Sequence, residues 1–319
     1  MPQRSLAFVS LIAMMLSASS SAPHAAGPIA VMLIDGESGG PWHKWALTTP
    51  VLKKELEDSG LFKVDVVTAP AATGELTGFK PAFSNYRVVV LNYDAPDDRW
   101  PAELKTAFEQ YVSNGGGVVI VHAADNAFPG WQAFNEMIGV GGWRGRTEKA
   151  GPFWYVENGK VAPDEKPGNA GSHGARVPFT VSVRDTSHPI TKGLPPVWMH
   201  QGDELYARLR GPGKNMTILA TAHSDPANAG SGHDEPMLMV LSYGKGRIFH
   251  TALGHDVNAM SCVGFITTLQ RGTEWAATGN VTQKVPASFP TADTVSYRAA
   301  IAEMDPNYKK GLNALDTAK

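Results

Sequence analysis

Short, almost wholly apolar runs alternating with stretches of helical periodicity leave this chain few folds to choose from. Ile29 to Ile34, Phe62 to Val67, Arg87 to Asn92 and Val118 to Val121 read as strands. Runs this apolar suit strands covered by helices on both faces, which is the setting of a parallel sheet. Between the first two runs, Ala46, Leu47, Val51, Leu52 and Leu56 recur at helical spacing from Trp45 to Ser59, and Gly60 follows as a C-terminal cap. Between the last two, Pro101 opens a helix with an apolar face of Leu104, Ala107, Phe108, Tyr111 and Val112, closed by Asn114-Gly115-Gly116. The pattern predicts an α/β fold with a doubly wound, mostly parallel sheet, whose ligand crevice lies beyond the carboxyl ends of its strands. Further strands are expected at Phe179 to Val183, Thr217 to Thr221, Pro236 to Leu241 and Arg247 to His250, with a closing helix from Cys262 to Ala277.

Charge and hydropathy remove two function classes. With 28 Lys and Arg against 30 Asp and Glu, the chain offers no basic face to a nucleic-acid backbone. Arg4, the apolar stretch Leu6 to Leu16 and the small residues through Ser21 follow the order of a secretory signal, and that stretch is too short to span a bilayer. Cleavage is expected between Ala22 and Ala26. The chain then divides into a signal at 1–26, an α/β domain at 27–279 and a surface tail at 280–319. The single cysteine, Cys262, excludes an intrachain disulfide and reads as a buried small hydrophobe, and no cysteine near the signal can carry a lipid. The expected location is the periplasm or the exterior.

The polar residues collect where such a fold puts its site. Asp35 follows the first strand, Asn92 and Asp94 end the third, His122, Asp125 and Asn126 follow the fourth, and Gly254-His255-Asp256 follows the last. His43 lies in the first rim loop. Imidazoles from His43, His122 and His255 meeting there suit a divalent ion such as Zn with open coordination positions; neutral histidines acting as acid and base are the alternative. No HExxH or CxxC spacing accompanies them. Asp125 and Asp256 are expected to orient the imidazoles. His200, just before Asp203-Glu204, either faces the crevice or packs beside Trp198-Met199. His173, His223 and His233 fall in Gly/Pro-rich loops and read as mobile, His188 as a turn residue and His250 as core. Regular alternation stops from Gly139 to Pro178, where a long loop or lid carries a hairpin on Asn158-Gly159. Its GGWRGRTEK stretch offers Trp143, Arg144, Arg146 and Glu148 either to a sugar pocket or to a salt-bridge network. The glycines lack the spacing of a phosphate-binding loop, so no nucleotide is predicted.

The segments WALTTPVLKKELEDSGLFKVDVVT, GGGVVIVHAADNAFPGW, HPITKGLP, WMHQGDELY, YGKGRIFHTALGHD and CVGFITTLQRGTEWAATG, together with GGWRGRTEK, resemble the ThuA-like (trehalose-utilisation) family from about Val31 to Arg298. The resemblance implies a flavodoxin-like, class I glutamine amidotransferase-like fold with a long lid insertion. It departs from an amidotransferase at the turn after Val118 to Val121, where His122-Ala123-Ala124 stands in place of a nucleophilic cysteine, so cysteine-dependent amide hydrolysis is not expected. What the resemblance implies for function is cleavage of trehalose-like glycosides already oxidised to 3-keto-glycosides by a partner sugar 3-dehydrogenase. A ketone at C3 acidifies the C2 proton, so His122 or His255 can remove it, the aglycone leaves C1 and water adds, with Glu204 as the proton donor. Asn126, Trp143, Arg144, Arg146, Glu148 and His200 are the expected sugar contacts. A sugar-binding protein without catalysis is the alternative, and a two-carboxylate glycosidase is disfavoured because the rim offers histidines ahead of an Asp/Glu pair.

Overall fold

The computed structural model describes Met1 and residues 27–308; the expected signal, its cleavage region and the end of the tail lie outside the described residues. The chain begins with β1 (Ile29–Asp35), α1 (Trp45–Glu57), β2 (Phe62–Thr68), β3 (Val88–Leu91), α2 (Ala102–Ser113), β4 (Gly117–Val121) and α3 (Gln132–Ile138). It continues through β5 (Phe153–Glu157), β6 (Lys160–Asp164), β7 (Val177–Val183), β8 (Val197–Asp203), β9 (Thr217–His223), β10 (Asp234–Tyr243) and β11 (Gly246–Thr251). The short turns α4 (Val257–Met260) and α6 (Ala299–Ala302) flank the long closing helix α5 (Val263–Thr278).

The strands form one sheet in the order β2-β1-β3-β4-β11-β10-β9-β7-β8, with the β5/β6 hairpin joined to β10. From β2 to β11 every pairing is parallel. β3 and β4 are buried along their whole length, as strands between two helical layers must be. Successive side chains of β11 show the two layers. Phe249 meets α5 so closely that a side chain on Gly272 would overlap its ring, while His250 turns the other way and hydrogen-bonds the Ile138 carbonyl at the end of α3, 2.8 Å away.

Beyond β11 the sheet continues antiparallel through β10, β9, β7 and β8. Four reversals restore the original direction, so the carboxyl end of β8 returns to the rim where β1, β4 and β11 end. β8 does not appear among the strands expected from sequence. Its buried face alternates Trp198, His200 and Gly202 and ends in buried Asp203, so burial follows the strand period while hydrophobicity does not. The insertion from Gly139 is tied down along its edges: Gly141 pairs with Arg210, the Trp143 N–H donates to the Ala170 carbonyl, and Ser172 exchanges two backbone bonds with Ala207. It forms one wall of the pocket. The described part of the tail packs across α5 and β8, with the Glu274 carboxylate accepting from the Thr282 N–H and hydroxyl and the Met199 N–H donating to the Thr291 carbonyl.

Candidate active site

His43, His122, Glu204 and His255 come from four separate segments and point at one another, with potential ligand atoms all within 4.8 Å. His43 sits in the loop after β1, His122 immediately follows β4, His255 follows β11, and Glu204 follows β8. The three imidazole centroids are 5.0 to 5.4 Å apart. His122 takes a left-handed backbone, φ 46°, at the sharp turn after a central strand. A non-glycine residue in that region costs of order 1–3 kcal/mol and persists where surrounding structure enforces it. Its Nδ1–H donates to the Ala252 carbonyl at 2.7 Å, which leaves Nε2 as a lone pair with no hydrogen-bond partner, 4.0 Å from Glu204 Oε2. Tyr206 lies over the same ring at 3.9 Å, and its hydroxyl hydrogen-bonds His43 Nε2 at 3.1 Å, leaving His43 Nδ1 unpaired.

Electrostatics set these groups apart. Burial first, then the charges of His122 and His255, push His43 down to about 3. Burial likewise pushes His122 below its ordinary value. Burial opposes charge at His255 too, but Glu204, 3.1 Å from its Nδ1, outweighs it and raises that histidine. Glu204 is held at about 2: burial resists ionisation, and the hydrogen bond and charge of His255 overcome it. Two imidazoles pushed toward the neutral form therefore face a histidine and a carboxylate that favour each other's charged forms.

Asp203 fixes the frame beneath. Its carboxylate accepts from the backbone N–H groups of Glu204, Gly254 and His255 at 2.8, 2.7 and 3.0 Å, and lies 2.9 Å from His200 Nε2. The same residue thus ties the end of β8 to the loop after β11.

Two members of the cluster, His43 and Glu204, line a cavity of about 600 Å³ whose walls also include Trp42, Asp94, Asn126, Trp143, Arg144 and His173. Of the sugar contacts expected from sequence, Asn126, Trp143 and Arg144 line it. Arg146 does not: it is buried, donating to the carbonyls of Asn126, Ala127 and Gly142, so it stitches the turn after β4 to the insertion. Glu148 also lies elsewhere, its carboxylate accepting from the Gly168 N–H on the far side of the insertion. His200 is buried under the floor against Asp203, with Cys262 beside it.

The two expected orienting carboxylates are placed differently too. Asp125 turns inward, 3.3 Å from His250 Nε2, while the backbone of Ala252 fixes His122. Asp256 accepts from the Ala259 N–H as the cap of α4 and pairs with Arg176 at 2.7 Å, because the chain past His255 turns at once into a helix. His173, expected to be mobile, stands in the wall with Nε2 3.7 Å from Glu204 Oε2, and its Nδ1–H donates to the Gly174 carbonyl at 2.8 Å. Backbone bonds from Ser172 to Ala207, and two hydrogen bonds between Asn228 and Ala175, hold it there. Trp42 lay in no motif, and Tyr206, though it ends the WMHQGDELY segment, was not among the expected site residues.

The sequence model of the family described as ThuA, trehalose utilisation, matches residues 30–276. Among solved structures, a ThuA-like protein from Parabacteroides merdae is 49% identical, covers 85% of this chain and 98% of its own, and superposes with a TM-score of 0.81. A second ThuA-like protein, from Bacteroides uniformis, is 20% identical over 82% of this chain and 96% of its own, with a TM-score of 0.54, and bears on the fold alone. No curated protein matches. A family match spanning β1 to α5, joined to close structural agreement at high identity, makes this chain a member of the ThuA family.

Proposed function

We propose that the protein is an exported enzyme that cleaves trehalose-like glycosides already oxidised to the 3-ketone, by removing the C2 proton, expelling the aglycone and adding water. The observation that carries this reading is the convergence of His43, His122, His255 and Glu204, with imidazole nitrogens left unpaired in a buried floor. Buried polar groups are ordinarily paired, so an orphaned, converging set of borderline donors fits a divalent cation such as Zn. A cation bound there supplies an electrophile that polarises a sugar ketone or hydroxyl. Held as ligands, His122 and His255 are no longer free to take a proton. His173 is: its Nδ1–H is engaged with Gly174 and its Nε2 faces the pocket, so it can take the C2 proton and return it to the departing aglycone oxygen, a role that Glu204, held ionised at about 2, does not fill. Trp143 and Arg144 supply the stacking face and planar donors that sugars use. The N-terminal signal pattern supports export, and a sugar 3-dehydrogenase is the reaction partner that supplies the ketone.

The test is metal analysis of purified protein beside an assay of 3-keto-trehalose and trehalose. About one divalent ion per chain and turnover of the oxidised sugar alone are expected. Equal release of glucose from unoxidised trehalose would point to ordinary glycoside hydrolysis, and sugar affinity without turnover to a binding protein.

A further inference from the structure

The pocket has two levels. His43 and Glu204 bring the imidazole and carboxylate cluster to one part of its lining, and exposed Trp42 marks the mouth, with Trp143, Arg144, Asp94 and Gly39 in the same lining. We propose that this mouth is a subsite for the leaving half of the glycoside, a second sugar ring held by the Trp42 and Trp143 indoles and hydrogen-bonded by Arg144 and Asp94. The inference rests on the glycoside reading above and assigns that substrate its size.

Three observations carry it. The first is room: a cavity of about 600 Å³ lies mid-range for sites that enclose a whole small ligand, and the cluster takes up only part of its lining. The second is Trp42, 72% exposed, the most exposed large hydrophobic side chain among the described residues after Met1. It stands one position before His43, on a loop whose Ser38 hydroxyl hydrogen-bonds the His43 carbonyl, so the loop that supplies a floor residue also raises an indole at the entrance. The third is strain. Trp143 and Arg144 are consecutive non-glycine residues in the left-handed region, φ 48° and 45°. Each costs of order 1–3 kcal/mol in general, and such outliers gather at ligand sites. The strained pair lays Trp143 on Tyr206, 4.5 Å between centroids, and sets Arg144 Nε 2.6 Å from Asp94 Oδ1. Gly39 makes that pair possible, because a side chain there would collide with the Asp94 carboxylate. An apolar face beside a guanidinium–carboxylate pair offers what a sugar ring needs: stacking for its C–H face and paired donors and acceptors for its hydroxyls.

The experiment compares a disaccharide with a single ring. Trehalose and methyl α-glucoside are titrated calorimetrically into parent, Trp42→Ala and Arg144→Met proteins, and KM and kcat are measured for 3-keto-trehalose and methyl 3-keto-glucoside. Each variant is expected to lose about tenfold in trehalose affinity and to raise KM for the keto-disaccharide by a similar factor, and Trp42→Ala to leave the methyl glycosides and metal content unchanged. Equal losses for both ligand sizes, or none, would overturn the subsite. If the parent turns over no keto-glycoside yet binds trehalose through Trp42, the chemistry proposed above falls and the subsite stands. If it turns over both substrates and neither variant discriminates between them, the chemistry stands and the subsite falls.

Discussion

The molecule holds two kinds of buried histidine. His200 and His250, both fully buried, each face a carboxylate: His200 lies 2.9 Å from Asp203, and His250 spans from the Ile138 carbonyl to Asp125. His122 is almost as buried, but its neighbours are two more imidazoles, and its Nε2 has no partner. Burial is common to both groups, so burial does not separate core from site. Convergence does: His200 and His250 each pair with a carboxylate of the fold, and the one nitrogen His200 leaves without a partner, Nδ1, joins no cluster, whereas at the site the ligand atoms of three imidazoles and a carboxylate lie within 4.8 Å of one another, arranged for something that arrives.

The sharpest way to break that contrast is to remove a carboxylate from the paired group. Asp203→Ala strips the partner from His200 and the acceptor from three backbone N–H groups. Removing one member of a buried pair generally costs about 3–5 kcal/mol, and a loss of that order is expected in denaturant unfolding. A loss below about 1 kcal/mol would show that Asp203 is no more structural than a surface carboxylate.

His122→Gln probes the other group at nearly constant volume. Bound metal is expected to fall away and turnover of 3-keto-trehalose to drop by more than about a hundredfold. Unfolding free energy of the metal-free protein should stay within about 1 kcal/mol of the parent, because the side chain lost gives the fold one hydrogen bond, to Ala252. Full metal occupancy in the variant would remove His122 from the ligand set.

Much of the fold was legible in the sequence because the parallel half obeys local rules. Its strands are continuous apolar runs, and its two early helices carry clear periodicity and glycine ends. β8 was not legible, since a histidine and an aspartate occupy its buried face and hide the period. At the site, His43, His122 and His255 could be named from their rim loops, because topology alone brings strand ends together. The partners of Asp125 and Asp256 could not, because they depend on which way a turn faces once the chain is packed. Arg146 shows the same limit: one motif sends Arg144 to the pocket and Arg146 into the interior, and only the left-handed turn between them decides which. His173 looked like a loop residue, and its anchors, Ala207 and Asn228, lie 34 and more positions away in sequence.

Glu55 supplies the limiting case of the contrast. It is buried on α1 and neither carboxylate oxygen has a hydrogen-bond partner, yet it belongs to no converging group of three or more ligand-type side chains among the described residues. An orphan alone does not make a site, so Glu55→Gln is expected to leave metal content and turnover unchanged. Its effect should appear in the pH dependence of stability. Burial raises this carboxyl well above its ordinary 4.5, with Arg298 offsetting part of the shift, so the folded chain keeps it protonated where the unfolded chain ionises it. That contribution is complete below the unfolded pKa and is lost as pH rises toward the folded one, by at most about 1.4 kcal/mol per pH unit. Relative to the parent, the glutamine variant should therefore gain stability as pH rises above the ordinary carboxyl range, read from denaturant midpoints at each pH. Parallel curves for the two proteins would mean that Glu55 ionises as readily inside the fold as outside it. A concurrent loss of metal would instead extend the unpaired, functional group beyond the pocket floor.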